Sequence, residues 1–330
     1  MRSRIAAGFW KRKSSMVEAG KGKGAQWTRA RRVLASLGVA CCLAASPALA
    51  ENILFVGNSF TFAAGTPIMQ FKSNFVTDLN RNGTGGVPAL FKLFTLQAGL
   101  DYDVFLETQP GAGIDWHLKH RLPELRARRW QTVVLQSYST LDEKRPGDGA
   151  LLAKSVGQMT ELVRKANPDV KVKLVATWSR ADQTYQESGH WYGKPIDAMA
   201  NDVRAAYDKA AAGARASVIP VGEAWSRAIR TGFADGNPYD GIDAGKVDLW
   251  GDDHYHASIH GYYLEALTIF GGVTGVDPRS LGAKECAGTE LGMTAEQIGA
   301  LEQIAFDQLA ASGTATRPRA IKTADCAGLH

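Results

Sequence analysis

The sequence predicts an α/β fold with a parallel sheet of about five strands, and two features of the chain lead to that prediction. Short apolar runs alternate with segments whose apolar residues recur every three or four positions. The first pattern is typical of buried strands and the second of helices packed on one face. Their alternation is typical of a parallel sheet with helices on both sides. We find no internal repeat or low-complexity linker, so residues 51–330 are interpreted as one domain.

The predicted strands are five short, mainly apolar segments. In chain order they are Asn52–Val56, Asp103–Glu107, Thr132–Gln136, Lys173–Thr177 and Ser217–Val221. Ligands of open α/β sheets bind beyond the carboxyl ends of the strands. Polar residues that follow these segments are therefore the first candidates for a functional site.

The predicted helices lie between and after these strands. They are Thr66–Asn80, Leu151–Ala166, Ala198–Ala212, Glu223–Arg230, Ser258–Phe270 and Ala295–Ala311, the last forming a C-terminal helical extension. Two long connections, residues 179–195 and 231–246, are expected on the active face. They are interpreted either as binding loops or as mobile excursions into solvent.

The first 50 residues have the features of a secretory signal peptide. A basic stretch that ends at Arg32 precedes a short apolar run, and Ala48 and Ala50 form a small-residue cleavage signature. Cleavage there would make Glu51 the first residue of an exported protein, periplasmic or secreted. The apolar run is too short for a comfortable membrane span, so no span is predicted in the mature chain.

The positive charge of the chain is concentrated in that leader. Ten of the 38 Lys and Arg residues lie in residues 1–50 against one of the 33 acidic residues, so the remainder has 28 basic and 32 acidic residues and a net charge of −4. A mildly acidic body gives no electrostatic case for binding nucleic acid. Two details of the leader stay open, since translation could begin at Met16 and Arg31-Arg32 also fits a twin-arginine signal.

Cys286 and Cys326 are the two cysteines that remain after the leader, and they flank the last predicted helix. An oxidising compartment favours a disulfide between them, and two unpaired buried thiols are the alternative. Export therefore predicts a cross-link that ties down the C-terminal tail.

A candidate nucleophile follows the first predicted strand. The apolar run that begins at Asn52 stops at Gly57, and Ser59 follows at the exit of the strand. A serine there lies where a parallel sheet binds its ligand. Taken alone, Gly-Asn-Ser is also ordinary turn chemistry, so the prediction depends on a base elsewhere in the chain.

A candidate base and its acidic partner lie near the other end of the chain. Asp253 and His256 are three residues apart, just before a predicted helix. A nucleophilic serine needs a base that accepts its proton and a group that orients the base, so Ser59, His256 and Asp253 are predicted to form a catalytic triad. His254 and His260 compete for the role of base, but neither has an Asp three residues before it.

The same segment has an alternative interpretation as a metal site. It contains three histidines and two acidic residues, which are common metal ligands. It lacks a helical His-x-x-x-His pair and a second cluster of ligands. The triad is therefore preferred, and neither a metal nor another cofactor is predicted.

Donors for an oxyanion are expected after the second and third predicted strands. Gly111 follows the second strand, and its backbone can approach a substrate with no Cβ in the way. Gln136 closes the third strand, where its side-chain amide could donate. A loop glycine and a polar strand end are the alternative explanations.

In this order, the segments resemble the conserved blocks of the SGNH/GDSL hydrolase superfamily. The matching residues are Gly57-Asn58-Ser59-Phe60-Thr61, Gly111, the amide of Gln136 and Asp253-x-x-His256, and the resemblance extends over residues 52–272. It implies a flavodoxin-like three-layer α/β/α fold and a Ser-His-Asp hydrolase without a cofactor. It also implies an oxyanion hole that uses the backbone N–H groups of Ser59 and Gly111.

Two positions depart from the family pattern. Gln136 stands where the family has Asn, so the third oxyanion donor must reach from a side chain longer by one methylene. Ala257 follows His256 where the family commonly has Pro. Asn58 matches a branch with varied members, so the resemblance does not imply a particular substrate.

The predicted function is an exported serine esterase that hydrolyses acyl or acetyl esters of small molecules or carbohydrates. Four aromatic residues placed at strand ends or in loops are predicted to bind the substrate: Trp178, Tyr185, Trp191 and Trp250. Aromatic platforms suit sugar rings, and ordinary anchoring of loops is the alternative. A lipase-like or lysophospholipase-like esterase is the second hypothesis, although the chain shows no long apolar lid. A catalytically silent binding module is the third, and it would not need a base paired with a nucleophile.

Overall fold

The computed structural model describes residues 50–320 and Cys326. Its centre is a six-stranded, all-parallel sheet in the order β2-β3-β1-β4-β5-β6. The strands are β1 (Glu51–Gly57), β2 (Thr77–Asp78), β3 (Tyr102–Thr108), β4 (Thr132–Leu135), β5 (Lys171–Val175) and β6 (Ser217–Ile219). All five predicted strands are present, and β2 is an additional two-residue strand at the edge of the sheet.

Strand β1 lies in the middle of the sheet and is buried on both faces. It pairs with β3 on one side and with β4 on the other. Ile53 and Phe55 belong to the core on one face, whereas Leu54 and Val56 belong to the core on the other. Because successive side chains of a strand point to opposite faces, an apolar residue at every position fits a sheet that is covered on both sides.

Helices cover both faces of this sheet. The described α-helices are α1 (Gly86–Gln97), α2 (Ile114–His120), α3 (Leu122–Leu125), α4 (Ala150–Ala166), α5 (Ala181–Tyr185), α6 (Ala198–Ala214), α7 (Val221–Arg230), α8 (Ile259–Thr274), α9 (Cys286–Glu290) and α10 (Ala295–Ala311). Helices α1, α7 and α10 pack with α8 on one face, and α2 and α6 pack with α4 on the other. The predicted three-layer α/β/α fold is confirmed.

The prediction of a helix over Thr66–Asn80 is wrong. The segment contains two short 3-10 turns, Pro67–Met69 and Ser73–Phe75, followed by β2. Lys72 lies between the turns with a left-handed backbone, φ 45°, which an α-helix does not accommodate. After β2, the carboxylate of Asp78 accepts hydrogen bonds from three following backbone N–H groups and turns the chain.

The first α-helix, α1, begins only at Gly86, after β2, and the sequence pattern did not predict it. Ten of its 12 residues are buried. A helix that is apolar on nearly every side has no contrasting polar face, so it lacks the helical period that identifies amphipathic helices. Two glycines set its start: Gly86 has a φ of 64°, and a Cβ on Gly85 would lie 1.9 Å from the carbonyl oxygen of Phe71.

The predicted disulfide is present. Cys286, at the start of α9, is bonded to Cys326, and their Cα atoms lie 5.6 Å apart. The bond closes a segment of the chain that contains α10, on the layer away from α4 and α6.

The predicted signal peptide, except for its last residue, Ala50, lies outside the described residues. Within the described part of the chain, no helix is long and apolar enough to cross a membrane.

Candidate active site

Ser59 lies directly after β1, in a tight turn that begins at Gly57. A Cβ on Gly57 would lie 2.0 Å from Oγ1 of Thr61, so only glycine fits there. The side chain of Asn58 ties the turn to the loop after β3, because its Nδ2 donates to the carbonyl oxygen of Ala112 at 2.9 Å. Ser59 itself is 7% exposed. The turn therefore holds a serine on a fixed backbone at the carboxyl end of the central strand.

Asp253 and His256 form a hydrogen-bonded pair. Oδ2 of Asp253 lies 2.6 Å from Nδ1 of His256, and Oδ1 accepts the backbone N–H groups of Tyr255 (3.0 Å) and His256 (2.8 Å). Burial alone would raise the pKa of Asp253, but the hydrogen bonds from the His256 ring and from these two backbone groups outweigh it and lower the pKa. An ionised carboxylate at Nδ1 keeps the ring proton on that nitrogen and leaves the lone pair on Nε2. Nε2 is buried and has no partner among the described residues.

Aromatic packing brings the segments of Ser59 and His256 together. The ring of Phe60 stacks on Trp178 at 4.1 Å and meets the ring of His256 at 5.7 Å. The hydroxyl of Tyr262, on α8, donates to the carbonyl oxygen of Ser59 at 3.3 Å. Ser59, Asp253 and His256 thus come from two distant segments to the carboxyl end of the central strand. Oγ of Ser59 and Nε2 of His256 are not hydrogen-bonded in this structure.

The two competing histidines have other surroundings. His254 has a left-handed backbone, φ 55°, and its ring packs on Tyr239 at 4.3 Å. Its carbonyl oxygen accepts the N–H of Ala181 at 3.1 Å and so anchors the Asp-x-x-His segment to α5. Burial lowers the pKa of His260, and a hydrogen bond with Gln297 opposes that effect. Residues 50–320 and Cys326 contain no group of three His, Cys, Asp or Glu side chains that could hold a metal ion.

Two backbone N–H groups are available for an oxyanion. Within the described ranges, the N–H groups of Ser59 and Gly111 donate to no protein acceptor. Gly111 has a φ of 65°, a conformation that favours glycine, and a Cβ there would meet no atom within 4 Å. The backbone conformation, and not crowding, is therefore the reason for glycine at this position.

The side chain of Gln136 braces the turn that carries Ser59. Its Oε1 accepts hydrogen bonds from the N–H of Asn58 (3.0 Å) and from the hydroxyl of Thr61 (3.1 Å), and its Nε2 donates to the carbonyl oxygen of Ser137. Both ends of the amide are occupied, and the residue is buried. One of the two Nε2 hydrogens is thus used by Ser137, and Gln136 lines neither of the two cavities beside the Asp-x-x-His segment.

Two cavities flank the Asp-x-x-His segment. The larger has a volume of about 460 Å³ and is bounded by residues 64–67, by Asp253 and His256, and by the start of α8. The smaller has a volume of about 40 Å³ and is lined by Asn58, Gly111 and Tyr255 among others. A space of that size holds one small group, such as a carbonyl oxygen or a water molecule.

The aromatic residues predicted to bind the substrate are not exposed platforms. Trp178 and Trp191 are 0% exposed and Trp250 is 2% exposed. Each of the three indole N–H groups donates to a protein oxygen. Tyr185 is partly buried, and its hydroxyl donates to the carbonyl oxygen of Gly236 at 2.7 Å. The platform prediction is therefore corrected: these rings anchor loops around the site, and only Trp250 borders the larger cavity.

Tyr255 and Arg180 belong to the site but were not assigned to it from the sequence. The guanidinium of Arg180 lies 3.6 Å from the centre of the Tyr255 ring, which in turn lies 4.2 Å from the ring of His256. No motif marks either residue. Their contact joins segments that are far apart in the chain, so only the fold reveals it.

No protein-family model and no curated protein matches the chain. Solved structures do match its fold. A DUF4886 family protein from Bacteroides uniformis ATCC 8492 aligns with a TM-score of 0.56 and 16% identity, over 82% of this chain and 98% of its own. A candidate GDSL-like lipase from Parabacteroides merdae ATCC 43184 aligns with a TM-score of 0.50 and 16% identity, over 68% of this chain and 95% of its own. The chain has the fold of the SGNH/GDSL hydrolases, as the sequence resemblance predicted.

Proposed function

We propose that this protein is a serine esterase in which Ser59, His256 and Asp253 hydrolyse acyl esters. The observation that carries the proposal is the state of the His256 imidazole. Asp253 holds its Nδ1 at 2.6 Å, and its Nε2 is buried without a partner among the described residues. A buried ring nitrogen that can accept a proton, on a segment packed against the turn that carries Ser59, is what nucleophilic catalysis requires.

The proposed reaction has two halves. In the first, Oγ of Ser59 attacks the ester carbonyl while Nε2 of His256 accepts its proton, and the imidazolium that forms is stabilised by Asp253. The carbonyl electrons move to oxygen, and the N–H groups of Ser59 and Gly111 receive that oxyanion. The alcohol then leaves with the proton from His256. In the second half, water repeats these steps on the acyl-enzyme and releases the acid.

This chemistry requires Oγ of Ser59 and Nε2 of His256 to come within hydrogen-bond distance when the substrate binds. Catalytic hydrogen bonds are often long before the substrate is present and become shorter in the complex. The aromatic contact between Phe60 and His256 keeps the two segments together in the meantime.

The proposed substrates are acyl or acetyl esters, including esters on carbohydrate. The larger cavity touches His256, which must protonate the leaving alcohol, so that cavity is the proposed place for one side of the ester. Its volume of about 460 Å³ accommodates a group of small-molecule size. A lipase-like preference would instead place a long acyl chain there, and a ladder of acyl lengths distinguishes the two.

We also propose that the protein is exported. The support is the signal-like composition of residues 1–50 together with the disulfide between Cys286 and Cys326, because disulfides persist mainly in oxidising compartments. Fractionation of cells that express the full chain, with the mass of the mature form, tests this: a product that begins at Glu51 outside the cytoplasm is expected, and an uncleaved cytoplasmic product would contradict it.

The function is tested by hydrolysis assays on the purified protein and its Ser59→Ala variant. The panel should contain aryl acetates, aryl decanoates and acetylated sugars. We expect activity on the short esters and a loss on the order of 10³–10⁶-fold in the variant. Absence of hydrolysis across the panel would favour a binding module on this fold, and a preference for decanoate would favour the lipase-like hypothesis.

A further inference from the structure

The small cavity beside Asn58 is lined by a positively charged side chain that takes no part in the proposed triad. Asn58, which directly precedes the nucleophile, and Gly111, whose N–H is a proposed oxyanion donor, line one part of this cavity. Arg180, which follows β5, also lines it. Gln136 does not, because its amide is bound to the turn and to Ser137. The cavity beside Gly111 is thus lined by a guanidinium and not by the amide of Gln136.

Two contacts fix the orientation of that guanidinium. Nε of Arg180 donates to Oδ1 of Asp182 at 2.9 Å, and Nη2 donates to Oδ2 at 2.5 Å, which is a bidentate pair along one edge. The ring of Tyr255 supports its face at 3.6 Å. The side chain is 16% exposed, so it has little freedom to turn elsewhere.

The opposite edge of the guanidinium is underused. Nη1 donates to Oγ of Ser139 at 3.4 Å, a long contact, and Ser139 also lines the small cavity. Nη1 carries two hydrogens, and this contact uses one of them weakly. A positively charged donor with a hydrogen that no described acceptor takes therefore borders a space that fits a single oxygen atom, and Glu143 also lines that space.

We propose that Arg180 is the third oxyanion donor of this enzyme, in the role that the sequence predicted for Gln136. The inference rests on the proposed esterase function. When Oγ of Ser59 forms its bond to the carbonyl carbon, the carbonyl π electrons become the negative charge on oxygen, and the serine proton moves to His256. Arg180 donates a hydrogen bond to that oxygen together with the N–H groups of Ser59 and Gly111, and it keeps all its protons. When the bond to the alcohol breaks and the carbonyl re-forms, the hydrogen bond weakens again.

The competing explanation is that Arg180 only positions His256 through Tyr255. The two roles have different signatures. Loss of an oxyanion donor lowers kcat with little change in KM, and a variant that keeps the positive charge near the base leaves the pH dependence of kcat/KM unchanged. A positioning role moves the apparent pKa of the base in the same profile.

The test compares Arg180→Gln with Arg204→Gln in the purified full chain. Arg204 is a matched control, because it is 23% exposed, pairs with Asp208 at 2.9 Å and with Glu223, and lies on α6 away from the cavity. We expect Arg180→Gln to lower kcat on an aryl acetate by roughly 10²–10³-fold with KM within about threefold. Arg180→Lys, which keeps the positive charge, should leave the pH profile unchanged. Arg204→Gln should stay within about threefold in kcat. A loss of kcat under tenfold in Arg180→Gln, or a shifted pH profile in Arg180→Lys, would overturn the proposal.

A second measurement covers the case in which Arg180→Gln folds poorly. Arg180→Lys keeps the charge and the contact with Tyr255 but loses the planar fork. Inhibition by an alkyl boronic acid, which forms a negatively charged tetrahedral adduct on a catalytic serine, should weaken in this variant by the same factor as kcat falls. Equal inhibition of parent and variant would refute a contact with the oxyanion. If Ser59→Ala retained full activity, the esterase proposal itself would fail, and this outcome is separate from any result on Arg180.

Discussion

Glu302, on α10, is a buried carboxyl group whose protonation should govern part of the stability of this protein. It is 2% exposed, and burial raises its pKa from 4.5 to about 8. The negative charges of Glu285 and Asp277 act in the same direction, and a backbone hydrogen bond from Gly282 opposes them. Its Oε1 has no hydrogen-bond partner among the described residues. The folded protein therefore prefers the neutral acid.

The sign of the pH dependence follows from this shift. Below a pH of about 4.5 the carboxyl group is protonated in both the folded and the unfolded chain, so its ionisation does not change the free energy of unfolding. Between about 4.5 and about 8 the unfolded chain loses the proton first, so the free energy of unfolding falls as the pH rises. Above a pH of about 8 the loss in free energy of unfolding no longer changes with pH. A shift from 4.5 to about 8 corresponds to a deficit of up to about 5 kcal/mol.

Replacing Glu302 by Gln removes the ionisation and nearly preserves the shape of the side chain. We expect Glu302→Gln to be more stable than the parent at pH 8.5 by several kcal/mol and close to it at pH 4.5. Urea unfolding at pH 4.5, 6.5 and 8.5, without reductant so that the disulfide stays intact, measures the difference. Glu296→Gln is the control, since Glu296 is exposed in the first turn of the same helix. A difference between parent and Glu302→Gln that does not grow with pH would refute the reasoning.

Further predictions concern the base and the disulfide. His256→Ala should nearly abolish ester hydrolysis and Asp253→Asn should impair it. His254→Ala should lower the rate far less, because the His254 ring packs on Tyr239 and not on Asp253. Steady-state kinetics on an aryl acetate decide this, and an indispensable His254 would show that the triad is misassigned. Replacing both Cys286 and Cys326 by Ser should lower the free energy of unfolding by roughly 3–4 kcal/mol, as expected for a loop with a sequence separation of 40. The same replacement should leave kcat nearly unchanged. An unaltered melting temperature in calorimetry, or a large loss of kcat, would contradict a purely structural role of the disulfide.

The sheet and the pairing of Asp253 with His256 could be predicted from the sequence because each leaves a local signal. The central strand β1 is apolar at successive positions, since both of its faces are covered, and it ends at Gly57, where a Cβ cannot fit. Asp253 and His256 are three positions apart in the sequence, so one turn of the chain brings their side chains together. Patterns that span a few residues are visible without knowledge of the fold.

The parts that could not be predicted depend on contacts between distant segments. Helix α1 is buried almost all round, so it shows no period, and β2 is two residues long. Trp178 comes shortly after a strand, a position from which exposure to solvent was expected. The aromatic rings of Phe60 and Trp225 instead stack on it, with ring centres 4.1 and 4.5 Å away. The hydrogen bonds of Gln136 with the turn before Ser59, and of Arg180 with Asp182, also depend on the fold.

Covalent labelling of Ser59 tests the central claim most directly. The purified protein is incubated with a fluorophosphonate, which reacts with serines activated by a neighbouring base, and the adduct is located by peptide mass spectrometry. We predict one modified residue, Ser59, and labelling that is absent in Ser59→Ala and slowed by at least about 100-fold in His256→Ala. Labelling of another residue, or equal labelling of the parent and His256→Ala, would contradict the account of this site.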